Sequence, residues 1–394
     1  MGPLEGIRVL DLTRLLPGGF ATALLADLGA EVVKVEQPGR GDHMRWDEPR
    51  IGGESAHSWV TDRNKASIAL NLKDPRGVEA LKALARTHDA VIEGFRPGVV
   101  DRLGIGYDAL RAVNPALVYV SITGYGQTGP MARHAGHDLN YAGRAGVLSI
   151  TGSADRPPAI PGVQVADIGG GSLMAVVGLL AALVRARATG AGDHVDVAMT
   201  DGAFAWLSIH MGDHFADGRV GGPEAMLLNG RFPCYAVYEC RDGRHLTVGA
   251  LEPQFWTRVC RLLGRPELEP TQFDPEALPA WRALFAERAR DGWLELLGGP
   301  DTCVGPVNDL AEAAADPQLR HRGMVGELEH PDFGPQRQVG IPIKLRNRPG
   351  ALRTAAPALG EGSRRLLAGA GYGADAIDEL LRDGVVAEPT TASA

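Results

Sequence analysis

Cysteine is scarce in this 394-residue chain. There are four, Cys234, Cys240, Cys260 and Cys303, with no C-x-x-C pair and no histidines at zinc-ligand spacing. A disulfide framework and a metal site are thereby excluded, and free thiols in a reducing compartment are expected. No charge of one sign dominates: Lys+Arg number 40 against Asp+Glu 48, a net charge of −8. That mild acidity argues against a nucleic-acid or membrane-surface binder. The longest apolar run, residues 173–184, is 12 residues and too short to span a bilayer. The opening residues show no basic stretch followed by an apolar one, so a cytoplasmic protein is expected. Walker loops, G-x-S-x-G elbows and internal repeats are absent as well. Glycine and proline, in contrast, are plentiful at 52 and 27. Together they make roughly a fifth of the chain, below the level of low-complexity sequence. Many tight turns and close backbone approaches are expected instead.

The first 200 residues alternate β-rich runs with helical patterns. Strands are predicted over 7–12, 31–36, 67–72, 90–95 and 117–123. Helices are predicted over 20–28, 76–87, 97–103 and 107–113, and a buried apolar helix over 170–188. Such alternation predicts an α/β fold with a largely parallel sheet covered on both faces. The composition shifts at 218–230, which reads as a linker. A strand pair at 235–240 and 245–249, turned at Asp242-Gly243, then opens a smaller α+β domain reaching about residue 330. Its helices are predicted at 252–263 and 278–290, and a final helical segment at 364–381. The small, polar tail 387–394 is expected to fray.

Several local patterns carry chemistry. Gly124-Tyr125-Gly126-Gln127-Thr128-Gly129 matches a dinucleotide-binding loop, yet Pro130 and the residues after it do not open a helix. A loop bringing backbone close to a ligand is the better reading. His137-Asp138 opens a helix just beyond it, where the dipole favours a neutral, basic imidazole. The histidine can act as a general base or simply cap the loop. Asp167 precedes three glycines and the apolar helix: it is an N-cap, or a carboxylate near which backbone approaches closely. Glu252, followed by Pro253, has the pattern of a helix cap. Arg45, Arg63, Lys65, Lys73, Arg96 and Arg102 lie in or beside the loops of the parallel sheet. Clustered, they would suit a phosphate-bearing ligand at the strand ends; scattered, they are a solvated surface.

Taken in order, nine segments resemble one family across almost the whole chain. They are LADLGAEVVKVEQP (25–38), NKASIALNLK (64–73), EGFRPGVVDRLGIGY (93–107), VYVSITGYGQTGP (118–130), AGHDLNY (135–141), VADIGGGS (165–172), VGALEPQFW (248–256), CVGPV (303–307) and GIPIKL (340–345). The chain resembles the family III CoA-transferases and, within them, the α-methylacyl-CoA racemases. The resemblance implies a Rossmann-like large domain built from both chain ends (1–217 and 331–394), a smaller inserted α+β domain (231–330), and an interlocked homodimer. It implies an acyl-CoA substrate and no cofactor.

AGHDLNY and the Glu252-Pro253-Gln254-Phe255 stretch resemble the racemases; transferases of this family generally carry a glycine-rich loop at the latter. The implied reaction interconverts (R)- and (S)-2-methylacyl-CoA thioesters through an enolate. By resemblance His137, assisted by Asp138 and Glu252, serves one face of the α-carbon and Asp167 the other. The alternative is CoA transfer between carboxylic acids through an Asp167 acyl intermediate. Matching positions give CoA contacts at Leu70, Asn71, Leu72, Lys73, Gly94, Phe95, Arg96, Arg102, Gly136, Leu139, Asn140 and Tyr141. Where close relatives have an arginine after the second strand this chain has Gln37, and Lys34 or Arg40 is expected to supply the charge.

Overall fold

Six apolar runs become parallel strands: Arg8–Leu12, Glu31–Glu36, Lys65–Leu70, Ala90–Glu93, Val118–Thr123 and His194–Ala198. The computed structural model of the chain describes residues 2–51 and 53–389. In Ala90–Glu93 and Val118–Thr123 every residue is buried, the polar Glu93, Ser121 and Thr123 included, as expected of strands covered on both faces. Numbered along the chain, the six strands lie in the order 3-2-1-4-5-6. A seventh, Val386–Ala387, pairs antiparallel with Lys65–Leu70 at the edge. The fold is therefore α/β with a parallel-dominated central sheet. The order reverses between Arg8–Leu12 and Ala90–Glu93, whose C-terminal ends diverge into a crevice, the usual ligand position in such sheets.

Residues up to Ala145, Val163–Trp206 and from Gln318 onward form one compact unit. Leu10, Val33, Ile68, Leu81 and Tyr119 share a core with Leu367, Ile377, Leu380 and Val385, so the two chain ends are packed together. Gly146–Gly162 and Leu207–Pro317 form a second unit. It holds an antiparallel sheet of Tyr235–Glu239, His245–Gly249 and Val304–Pro306, backed by Trp256, Trp281, Phe285 and Trp293. Residues 207–230 pack within this unit. All four cysteines are free thiols, and only Cys303 is exposed.

Several elements differ from the sequence expectation. The first helix runs Leu15–Asp27, starting five residues before position 20, because Pro17 fits its first turn. The third strand is Lys65–Leu70, two residues earlier than predicted, since the Asn71 N–H already pairs with Val385 O (2.8 Å). The 364–381 helix is two, Ser363–Gly369 and Ala374–Arg382, divided at Gly371 with φ +94°. Residues 278–290 likewise divide into Leu278–Phe285 and Arg290–Leu297. The strand His194–Ala198 and the hairpin Val325–His330/Gly334–Val339 were not anticipated. Of the tail, 387 is in a strand and residues 390–394 lie outside the described residues.

The apolar helix is the largest departure. A π-helix, Val165–Leu173, runs directly into an α-helix, Met174–Thr189. The combined 25-residue stretch is long and apolar enough by length and composition to cross a membrane. The 12-residue apolar run alone did not show this. Here the stretch packs on the first helix and the Val118–Thr123 strand as a core element of its unit.

Candidate active site

The crevice at the sheet's reversal point opens into a cavity of about 640 Å³. Its walls come from the C-terminal ends of four parallel strands and the segments that follow them: Thr13–Gly18, Gly94–Pro97, Thr123–Gly124 and Met199. Ala135–His137, Asn140, Tyr141 and Asp167 complete it. Among the described residues, Asp167 is the only carboxylate in the lining.

Asp167 sits in the first turn of the π-helix, a geometry associated with functional sites. It is not a cap. Asp138 Oδ1 accepts the N–H groups of Ala166 (2.7 Å) and Asp167 (3.0 Å), satisfying the donors at that helix start. Ser172 Oγ donates to Pro17 O (2.6 Å), tying the same helix to the first turn of the helix Leu15–Asp27. The glycines here serve packing rather than approach to a ligand. A Cβ on Gly170 would meet Met199 O at 2.5 Å and Ala203 N at 2.7 Å, so the helix Met199–Ala205 packs backbone to backbone on it. The Asp167 carboxyl makes no hydrogen bond among the described residues. Burial, with a smaller push from the Asp138 charge, raises its pKa to about 7.

His137 precedes the helix Asp138–Ala145. Its N–H donates to Asn140 Oδ1 (3.0 Å), and its carbonyl accepts from Asn140 N (2.8 Å) and Tyr141 N (3.2 Å). The backbone is thereby fixed, while the exposed imidazole lines the cavity and has no hydrogen-bond partner among the described residues. No hydrogen bond joins it to Asp138; that carboxylate orients the Asp167 backbone. Glu252 is the N-cap residue of the helix Pro253–Leu262 in the second unit, with no side-chain capping bond.

Of the expected CoA contacts, Gly94, Phe95, Arg96, Gly136, Asn140 and Tyr141 line the cavity. Leu70, Asn71, Leu72, Lys73, Arg102 and Leu139 lie outside its lining. Leu70–Lys73 follow the third strand, at the same C-terminal edge of the sheet, with Leu70 itself buried in the core. The glycine loop at 124–129 is not a phosphate cradle. Its Gly126 N–H donates to Thr123 Oγ1 (3.0 Å) and Gln127 N–H to Asp196 (3.1 Å). Gly124 is required because a Cβ there would meet the Tyr141 ring at 2.3 Å.

The six basic residues divide into two groups. Arg45 pairs with Glu36 (2.7 Å), Arg63 with Asp27 (2.7 Å) and Lys65 with Asp11 (3.0 Å), all holding the fold together. Lys73, Arg96 and Arg102 have no ionic partner among the described residues. Lys34 cannot replace the missing arginine at Gln37: it is 1% exposed and pairs with Asp42 at 2.8 Å. Arg40 remains exposed.

Sequence reasoning missed the wall formed by Thr13–Gly18, Met44 and His134. The available signal was position, since the loop after the first strand of such a sheet faces the ligand. It also missed Glu93, a buried carboxyl that accepts the Phe95 N–H (2.7 Å) and so positions the Gly94–Arg96 wall. Burial, reinforced by Asp101 and Asp196 nearby, raises its pKa to about 7 against the pull of its hydrogen bonds.

Comparison with known proteins agrees with this fold. Residues 4–363 match the model of CoA-transferase family III. The chain is 36% identical to a mouse succinyl-CoA:glutarate CoA-transferase, covering 99% of this chain and 92% of that protein. It is 34% identical to human α-methylacyl-CoA racemase, covering 97% of both. A CaiB/BaiF family protein from Brucella suis has the same fold, with TM-score 0.82, 32% identity, and coverage of 94% and 99%. The chain belongs to CoA-transferase family III.

Proposed function

We propose that the protein is a 2-methylacyl-CoA racemase. One observation carries this reading: among the described residues, the one carboxyl in the cavity wall is held near a pKa of 7, and an imidazole with no hydrogen-bond partner shares that wall. A group that titrates near the working pH serves equally as acid and base, which inversion in both directions requires. His137 takes the α-proton, and the C–H electron pair moves into the carbon–carbon bond as the thioester oxygen becomes an enolate. Asp167, protonated, returns a proton to the opposite face and is left as a carboxylate; the reverse reaction exchanges the roles. The N–H groups of Asp138 and Leu139, at the helix start beside His137, have no acceptor among the described residues and are our candidates to stabilise the enolate oxygen. Glu252 is assigned to assist His137 on the resemblance alone.

The same reading takes the family's interlocked homodimer, supported by the exposed apolar residues Val177, Val184, Phe204 and Trp206, and tested by light scattering. Acyl-CoA is the substrate; the reaction as written uses no cofactor, nucleic acid or membrane, and a cytoplasmic location is proposed.

CoA transfer is the second reading, favoured by the transferase relatives at 36% identity. Its nucleophile must be ionised, and burial of Asp167 works against that. The test is NMR in D2O with one epimer of a 2-methylacyl-CoA and a free carboxylic acid present. Loss of the α-proton signal with appearance of the other epimer supports racemisation. CoA on the added acid, with the α-proton retained, establishes transfer. Under the racemase reading, His137→Ala abolishes inversion while Asp167 still exchanges the α-proton of one epimer.

A further inference from the structure

Glu93 carries a hydrogen-bond chain that the proposed reaction leaves unused. It ends the strand Ala90–Glu93, is 1% exposed, and is paired with Leu12 on one side and Ser121 on the other. Its carboxyl accepts the Phe95 N–H (2.7 Å), and the Ser121 hydroxyl hydrogen bonds to it as well. Ser121 Oγ also lies 2.9 Å from His194 Nε2. His194 opens the neighbouring strand, half-buried, stacked on Tyr107 (5.2 Å) and edge-on to Tyr119 (5.4 Å). The groups facing Glu93 are all acids: Asp101 from the helix Val99–Leu103, Asp196 from the His194 strand and Tyr119 from the Ser121 strand. Glu93 forms no ion pair among the described residues. Around His194 stand Asp193, which accepts the His194 N–H (2.9 Å) and pairs with Arg185 (3.1 Å), and Arg111, 5.9 Å from the Tyr107 ring centre.

We infer that Glu93, Ser121 and His194 form a proton relay between a half-exposed imidazole and the cavity, whose direction sets how firmly Glu93 positions the Gly94–Pro97 wall. A serine hydroxyl holds one proton, so the chain has two directions. With Glu93 ionised, His194 Nε2–H donates to Ser121, and the Ser121 O–H donates to the carboxylate. Neutralisation brings a proton from water onto His194 Nδ1, while Nε2 passes its proton to Ser121 Oγ and Ser121 passes its own to Glu93. The chain then runs backwards: Glu93 donates to Ser121, Ser121 donates to Nε2, and the imidazole keeps its proton on Nδ1. The charged carboxylate is the stronger acceptor for the Phe95 N–H, so the wall is held most firmly with Glu93 ionised. Burial and then the Asp101 and Asp196 charges raise the carboxyl to a pKa of about 7, which puts the reversal near neutral pH. Two cations depend on this wall: Arg96 follows Phe95 in the chain, and the Arg14 guanidinium lies 5.2 Å over the Phe95 ring. The CoA affinity used in the test rests on the reading of this wall as a CoA contact; the two spectroscopic signals do not.

The experiment is a pH titration by NMR of the full-length protein, labelled with 15N in histidine and phenylalanine, on wild type, Glu93→Gln and Ser121→Ala. His194→Gln and Phe95→Leu assign the two signals. In wild type the His194 proton should pass from Nε2 to Nδ1 as pH falls through about 7, and the Phe95 amide should shift with the same midpoint. Glu93→Gln should abolish the Phe95 shift. Ser121→Ala should raise its midpoint, since a hydrogen bond to the ionised form is lost, and should uncouple the His194 tautomer from it. CoA, followed by calorimetry, should bind Glu93→Gln about threefold more weakly than wild type at the alkaline end of the titration and equally at the acid end. A wild-type tautomer that ignores the Phe95 midpoint, or one still coupled to it in Ser121→Ala, would overturn the relay. Ser121→Ala decides this even where Glu93→Gln does not fold. Tighter CoA binding by Glu93→Gln would show repulsion by the Glu93 charge and overturn the positioning role. If both signals behave as stated while CoA affinity is the same in every variant, the wall is not a CoA contact and the relay stands.

Discussion

Asp11 and Asp167 are two carboxylates of one unit with opposite fates. Asp11 is fully buried beneath the sheet's reversal point, and Asp167 is only partly buried in the cavity above. By desolvation alone Asp11 should be the harder to ionise. Burial does push its pKa up, but Lys34, Lys65 and the hydroxyls of Thr13 and Thr22 outweigh that and hold it well below the usual carboxylate range. Asp167 has no cation against it, and burial with the Asp138 charge leaves it near 7. Counter-charge, not depth, separates a carboxylate held ionised from one whose pKa is raised. The ionic layer also serves the cavity, because Asp11, Asp42 and Lys34 fix the loop that forms one wall.

The two carboxylates should therefore respond oppositely to neutralisation. Asp167→Asn is expected to cost about 10³-fold in inversion of a 2-methylacyl-CoA, within the usual range for a general acid–base group. Its thermal midpoint at pH 8 should rise, since a raised carboxyl pKa makes the fold lose stability as pH climbs from about 4 to 7. Asp11→Asn should instead lower the midpoint, and wild type should lose the Asp11 contribution only as pH falls below about 4. A Asp167→Asn midpoint below wild type would break the comparison.

Removing the counter-charge is the next largest effect. Lys34→Met leaves Asp11, Asp42 and Asp62 facing one another with Lys65 alone, and should destabilise by about 3–5 kcal/mol in urea unfolding.

The pH–rate profile sharpens the same point on a smaller scale. Asp138→Asn keeps an oxygen acceptor for the Ala166 and Asp167 N–H groups but removes the like charge. The limb set by Asp167 should move to lower pH while staying above the ordinary aspartate range, since burial is the larger cause. Glu93→Gln should leave that limb in place; movement there would assign it to Glu93, which titrates in the same range. The smallest expected change is Lys73→Gln, an exposed cation outside the cavity lining. Affinity for an acyl-CoA should fall about two- to fivefold by calorimetry, and less at high salt.

Much of this was legible in the chain. The β-rich runs ending at Leu12, Glu36 and Thr123 marked their strands, because strands buried on both faces are rich in Val, Ile and Leu. His137 and Asp167 stood out through the glycines and helix starts beside them. The sequence did not reveal which cations are free. Lys34, Lys65, Arg45 and Arg63 look like Arg14 and Arg96 in a string of letters, and their partners lie 54 positions away for Lys65 and Asp11, 275 for Arg63 and Gln338, and 312 for Arg45 and the Pro357 carbonyl. The π-helical turn was equally hidden; it lies where the helix Met199–Ala205 packs backbone to backbone on Gly170, a segment about 30 residues further along the chain.

The sequence by itself determined the alternating α/β order, the family, and the identity of the two proton-transfer candidates, since these follow from local periodicity and short ordered motifs. Only the tertiary structure decided that Asp138 holds the Asp167 backbone, that burial raises the Asp167 carboxyl to a pKa of about 7, and that Arg14 faces the cavity with no ionic partner among the described residues. Those properties depend on desolvation and on charges brought together from distant segments, and both are set by three-dimensional distance rather than by position along the chain.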